Sequence, residues 1–212
     1  MLRLFVARHG ETVFNAAGRL QGDHPHTPLT AAGCRQAICM GEALARHLAA
    51  EAVDAAGIRL MASDTGRALQ TLALVAEPLG LDWHAATTDA RLREIDMGEW
   101  GGRWYRDIAP DIATLIDPAD RLFSQVAPGG ESYADVAGRL GGWMAELPAS
   151  GTLVVISHGM TARVLRGLMT RCAAHAVHGV PIAPPLAQGS MVEIMDGHER
   201  IVVDGAGGGE RA

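Results

Sequence analysis

The chain contains no lysine: all 18 of its basic residues are arginine. That absence excludes Schiff-base chemistry, pyridoxal phosphate attachment and the P-loop lysine together. Aromatic residues are only 4% of 212, too few for a stacking platform on single-stranded nucleic acid. The net charge of −6 leaves no basic footprint for nucleic acid and no basic run for an anionic membrane, so neither is an expected partner. No stretch of roughly 18 uninterrupted apolar residues occurs, which excludes a transmembrane helix. The opening MLRLFVARHG is too short an apolar run for a signal peptide and has no small-residue cleavage site. Cysteine is scarce: Cys34, Cys39 and Cys172 are an odd set without CxxC spacing, as suits a reducing compartment. A cytoplasmic location is expected.

What is present is core material. Hydrophobic residues reach 48%, ample for an ordered chain, and no repeat or linker divides it. One domain over 1–212 is expected, with an irregular Gly-, Asp- and Pro-rich insertion at about 100–130 lying over the sheet edge. The tail 205–212, GAGGGERA, is expected to fray.

The apolar run Leu2–Val6 reads as a buried strand stopping at Arg8-His9-Gly10. Thr30 caps a helix over about 31–51, and 58–62 is a second strand ending at Ser63-Asp64. A helix over about 65–79 follows, then an extended stretch at 83–87 and a helix near 105–116. A helix over about 132–147 precedes the strongest strand, 152–157, which runs into His158-Gly159. Another helix starts near Met160. The segments 190–195 and 200–203, joined by Asp196-Gly197, read as a hairpin. Strands alternating with helices imply an α/β fold with a mostly parallel sheet covered on both faces. In such folds ligands bind outside the carboxyl ends of the strands. Three strands here end in Arg8-His9, Ser63-Asp64 and Ser157-His158, so functional side chains from distant segments meet at one rim.

Two His-Gly turns at parallel strand ends, with Arg8 beside the first, describe an anion site. Arg67, in the first turn of the helix after Ser63, adds a guanidinium at a helix N-terminus. Arginine matches phosphate oxygens bidentately and keeps its charge. Neighbouring positive charge holds an imidazole neutral, and a neutral imidazole can attack phosphorus. The leaving oxygen needs a proton donor. Glu94 is the best placed acid in the loop Leu92–Trp100, and a bound phosphate dianion would favour its protonated form; Asp96 and Glu99 are its rivals. His24, His26, His175 and His178 lack a third ligand at matching spacing, so they read as solvated residues and no metal is expected. Trp100, Trp104 and Tyr105 are candidates for an apolar wall of the substrate mouth.

The blocks Leu4–Thr12, Asn15, Gly18–Gly22 and Pro28–Gly33 resemble the opening of the histidine phosphatase superfamily, the phosphoglycerate-mutase-like group. Ser63–Thr71, Leu92–Trp100, Pro128–Ser132 and Ile156–Gly159 continue the resemblance over nearly the whole chain. It implies a three-layer α/β/α sandwich on a mostly parallel sheet with an antiparallel edge strand. It also implies that His9 becomes phosphohistidine, that Arg8, Arg67 and His158 form the phosphate pocket, and that Glu94 gives and then takes the proton. Asn15 joins the phosphate contacts, Gln21 and Gly22 border the substrate, and Thr12 helps to line the pocket. No cofactor is implied.

The chain departs from the pattern at Trp100-Gly101-Gly102, at Thr65-Gly66 and at Met160-Thr161, which bear on substrate shape. The expected activity is metal-independent hydrolysis of a small phosphorylated metabolite, with a phosphoprotein left open as substrate. Cofactor-dependent phosphoglycerate mutases resemble longer chains with more basic residues in the insertion; mutase activity is the alternative. A non-catalytic binding protein on the same fold is the remote one, since Arg8, His9, Arg67, Glu94 and His158 are all present. A homodimer is a candidate assembly.

Overall fold

The computed structural model describes residues 1–110 and 112–205. Its strands are β1 (Leu2–Arg8), β2 (Ile58–Ala62), β3 (Thr87–Thr88), β4 (Gly151–Ser157), β5 (Met191–Met195) and β6 (His198–Val203). The helices are α1 (Val13–Ala17), α2 (Ala31–Ala50), α3 (Gly66–Ala76), α4 (Tyr105–Ile108), α5 (Tyr133–Ala145) and α6 (Gly159–Thr170). The strands form one sheet in the order β3-β2-β4-β1-β5-β6. β1 to β4 pair in parallel, while β5 runs antiparallel to both β1 and β6. The reversed strand is therefore β5, one place in from the edge.

Alternation along the central strands builds two cores. Leu4 and Val6 of β1, with Leu153 and Val155 of β4, face α5 and α6. Phe5 and Ala7, with Val154 and Ile156, face α2 and α3. All but Leu153 are fully buried, as a sheet covered on both faces requires. Residues of the insertion, including Leu115, Leu122 and Phe123, belong to the α5–α6 core, where the sequence had suggested a cover over the sheet edge.

Local chemistry explains where elements differ from the sequence reading. Residues Trp83–Ala85 form a 3-10 turn, not a strand, because Asp82 caps it by accepting from His84 N–H, and only Thr87–Thr88 pair with β2. The helix expected to about residue 116 stops at Ile108, because Pro110 forces the preceding Ala109 into extended backbone. Helix α1 went unforeseen; a Thr12–Asn15 capping box starts it and Gly18, at φ 68°, ends it. The hairpin turn Asp196-Gly197 has φ of 57° and 77°, the signature of a type I′ turn. The tail expected to fray lies, from residue 206 onward, outside the described residues.

Candidate active site

Parallel register makes the site. Arg8 of β1 pairs with Ser157 of β4, and Ala62 of β2 with Ile156, so all three strands end level. The chain leaves β1 with His9 N–H bonded to Ser157 O (3.1 Å) and leaves β2 with Ser63 N–H bonded to Ile156 O (3.0 Å). The two His-Gly turns become neighbours, their imidazole centroids 5.2 Å apart. Gly10 is needed for closeness: a Cβ there would stand 2.3 Å from Gly33 O in the first turn of α2. Gly10 N–H also donates to Thr71 Oγ1 on α3 (3.2 Å), so both helices pin this turn.

The hydrogen bonds assign opposite tautomers to the two histidines. His9 Nδ1 sits 2.7 Å from Gly10 O, an acceptor only, so Nδ1 carries the proton and Nε2 the lone pair. His158 Nδ1 accepts from Arg67 Nε (3.1 Å), so its proton lies on Nε2. Both rings are buried, 2% and 0% exposed. Burial foremost, then Arg67 and Arg8, hold His9 well below the usual imidazole value. Burial foremost, then Arg67, His9, Arg139 and Arg8, do the same to His158. The site thus holds two neutral imidazoles side by side, one with its lone pair and the other with its proton on Nε2.

Arg67 is fully buried. Beyond His158 it donates from Nη1 to His24 O (2.6 Å) and Thr27 Oγ1 (3.0 Å), and from Nη2 to Gly22 O (2.7 Å). Those bonds commit four of a guanidinium's five N–H groups to the protein. Among the described residues this leaves one Nη2 N–H and the fixed charge for an anion, while the other four N–H groups tie Arg67 to His158 and the loop 22–27. Burial lowers its pKa to about 10, against the pull of Glu94 and Asp23. Arg8 donates from Nη1 to Leu186 O (2.8 Å) and lies beside Glu94 across Gly159.

Of Glu94, Asp96 and Glu99, it is Glu94 that lines the cleft. Its carboxylate faces the first turn of α6, accepting from Met160 and Thr161 N–H, and it lines the cleft with Arg8 and His9. Asp96 instead accepts from Gly98 N–H (2.8 Å), and Glu99 is exposed. Asn15, Gln21 and Gly22 line the same cleft. Thr12 is fully buried behind it: its Oγ1 lies 2.8 Å from Asn15 Oδ1 and 2.6 Å from the Gln21 amide, so it orients those two side chains. Of the three aromatics, Tyr105 lines the cleft, Trp100 packs on the core, and Trp104 carries Arg19 and Arg106 on its ring face.

Sequence reasoning missed Arg19, Ile95, Met97, Phe123 and Met160, which also line the cleft. Arg19, between Gly18 and Leu20, and the apolar neighbours of Glu94 were legible as flanks of motifs. Phe123 was not, because it reaches the cleft only by the path of the insertion.

His24 and His26 are exposed, and His175 pairs with Asp120 (2.9 Å) while stacking on His178. Among the described residues, His47, Glu51 and Glu193 come within ligand distance of one another. Arg3 and Arg200 pair with both carboxylates there, so the group is an ion-pair cluster. No helix among the described residues is long and apolar enough to cross a membrane.

Comparison with known proteins bears on the family and the fold. The sequence model of the histidine phosphatase superfamily (branch 1) matches residues 4–205. The chain is 35% identical over 184 residues to the protein named "Probable phosphoglycerate mutase GpmB" of Yersinia enterocolitica, covering 83% of this chain and 78% of that one. Its fold matches a mycobacterial glucosyl-3-phosphoglycerate phosphatase solved with VO3, at 27% identity and a TM-score of 0.72, over 94% of this chain and 96% of the other. It also matches a structure called mycobacterial hydrolase 1, at 26% identity and a TM-score of 0.72, over 97% and 99% of the two chains. The chain belongs to the histidine phosphatase superfamily.

Proposed function

We propose that the protein is a phosphomonoesterase acting on a small phosphorylated metabolite through a phosphohistidine on His9. The observation that carries this reading is the tautomer of His9, whose Nδ1–H is held by Gly10 O and whose Nε2 lone pair is thereby kept for attack. Nε2 attacks phosphorus as the bond to the ester oxygen breaks, and the departing alkoxide takes a proton from Glu94. Water then attacks the phosphohistidine and gives its proton to Glu94, the P–N bond breaks, and inorganic phosphate leaves with the enzyme restored. In this reading Arg8, the remaining Arg67 N–H and His158 Nε2–H, which lies 3.5 Å from Thr65 Oγ1, stabilise the oxygens where negative charge gathers, and they need no metal to do so. Asn15 and Gln21 border the same oxygens, with Gly22 at the rim.

The mutase reading has its own support in the name of the Yersinia relative. Against it stand the short insertion, the absence of lysine and the Leu20-Gln21-Gly22 form of the early loop, which resembles that of the phosphatases of the family. A panel of phosphorylated metabolites, assayed with a chelator present, tests the choice. Hydrolysis predicts phosphate release from at least one metabolite, and little 2-phosphoglycerate from 3-phosphoglycerate with or without 2,3-bisphosphoglycerate. Fast primed interconversion with negligible phosphate release makes the mutase reading correct, and a strict need for a divalent cation overturns the charge argument.

A further inference from the structure

The dipeptide Met160-Thr161, which follows the second His-Gly turn, has no side-chain role in the reaction described above. The two oxygens of Glu94 are held unequally. Among the described residues, Oε1 accepts N–H groups from Ile95 (3.0 Å), Met160 (3.1 Å) and Thr161 (3.0 Å), whereas Oε2 receives only the second arm of the Met160 N–H, at 3.1 Å. An oxygen accepting three N–H groups has no lone pair left for a proton, so an acidic proton belongs on Oε2. Oε2 is also the oxygen turned toward Arg8: a Cβ on Gly159 would stand 3.3 Å from Oε2 and 3.2 Å from Arg8 Cζ.

Thr161 Oγ1 lies 2.6 Å from Arg93 O and 3.2 Å from Glu94 Oε1. A hydroxyl has one proton, and the shorter contact takes it. The side chain therefore pins the peptide immediately before Glu94, while its own N–H pins Oε1. Thr161 is fully buried, and α5 braces it: Arg139 Nη2 donates to Thr161 Oγ1 (3.4 Å) and pairs with Glu131, which in turn accepts from Asp96 N–H (3.0 Å). Loop, helix N-terminus and α5 thus close around one carboxyl group.

We infer that Thr161 is a positioning residue for proton transfer, tying the Glu94 loop to the first turn of α6 so that Oε1 stays turned inward and Oε2 alone exchanges the proton. The inference rests on Glu94 being the proton donor. The phosphate ligands Arg8, Arg67 and His158 do not depend on this tie, so its loss should damage proton transfer and spare phosphate binding.

Thr161→Val, which removes the hydroxyl and keeps the shape, is compared with Thr161→Ser, Thr161→Ala and Glu94→Gln on two substrates. One is an alkyl phosphate, whose leaving alkoxide needs the proton; the other is p-nitrophenyl phosphate, whose phenolate leaves without it. Thr161→Val is expected to lower kcat on the alkyl ester about 10- to 30-fold, a fraction of what a general acid contributes. It should leave the p-nitrophenol burst and competitive inhibition by inorganic phosphate within about twofold, and Thr161→Ser should restore the alkyl rate. Thr161→Ala supplies the same comparison should the valine variant misfold. Equal losses in the rate of phosphoenzyme formation from both esters, failure of serine to restore the alkyl rate, or unimpaired alkyl turnover overturns the inference. If Glu94→Gln forms phosphoenzyme as fast from the alkyl ester as from p-nitrophenyl phosphate, the reading of Glu94 fails first.

Discussion

The turns after β1 and β4 carry the same His-Gly dipeptide, at the same level of the sheet, yet they hold their imidazoles in opposite states. His9 donates from Nδ1 to a carbonyl one residue away; His158 accepts at Nδ1 from an arginine 91 residues away in sequence. Both rings are buried and neutral by the same causes, burial and the nearby guanidiniums. What leaves the lone pair on Nε2 in one ring and the proton on Nε2 in the other is therefore the partner of the far ring nitrogen, supplied locally in one turn and by α3 in the other. Motif identity fixes which residue type stands at the rim, and the hydrogen-bond partner fixes what it can do.

The comparison breaks most sharply on replacing each ring. His9→Ala should lose turnover by at least about ten-thousand-fold and form no phosphoenzyme, since no nucleophile remains. His158→Ala should lose about a hundred- to a thousand-fold, the scale of one lost transition-state donor, and still form phosphoenzyme with p-nitrophenyl phosphate. Rapid-quench assays read both, and equal losses would mean that the tautomer difference has no functional weight. Arg67→Lys sharpens the same contrast. The charge survives, but the fork to His158, His24, Thr27 and Gly22 does not, so turnover should fall about a hundredfold with His9 still able to be phosphorylated.

The smallest effect is on stability. Both imidazoles have folded-state values below their unfolded value of about 6.5, so the unfolded chain takes up their protons first as pH falls. Stability should be flat in this respect above about pH 7.5 and should decline as pH falls through about 6.5. Urea midpoints from pH 8 to pH 5 measure it, and His158→Ala should make the decline shallower.

Much of this was legible in the sequence because its signals are local. Strand ends at Arg8, Ala62 and Ser157 follow from apolar runs that stop at polar pairs, and the Thr30 cap follows from side-chain reach. Those ends bring His9, His158 and Arg67 together. The rest depended on tertiary partners. Nothing in the segment around Arg67 announces that its guanidinium is committed to carbonyls of residues 22–24, and nothing near Thr12 shows that Asn15 and Gln21 both close over it. The reversed strand lies inside the edge because a tight Asp-Gly turn adds β6 beyond it. Phe123 arrives at the cleft through an insertion with no periodicity to read.

The most direct test of the central claim is the site of phosphorylation. The protein is quenched in base during turnover of p-nitrophenyl phosphate, digested, and examined by mass spectrometry and by phosphorus NMR against the two phosphohistidine isomers. The expected result is one alkali-stable, acid-labile phosphoryl group on Nε2 of His9, with none on His158. Phosphate on Nδ1 of His9, or on His158, would contradict the assignment of nucleophile and donor to the two turns.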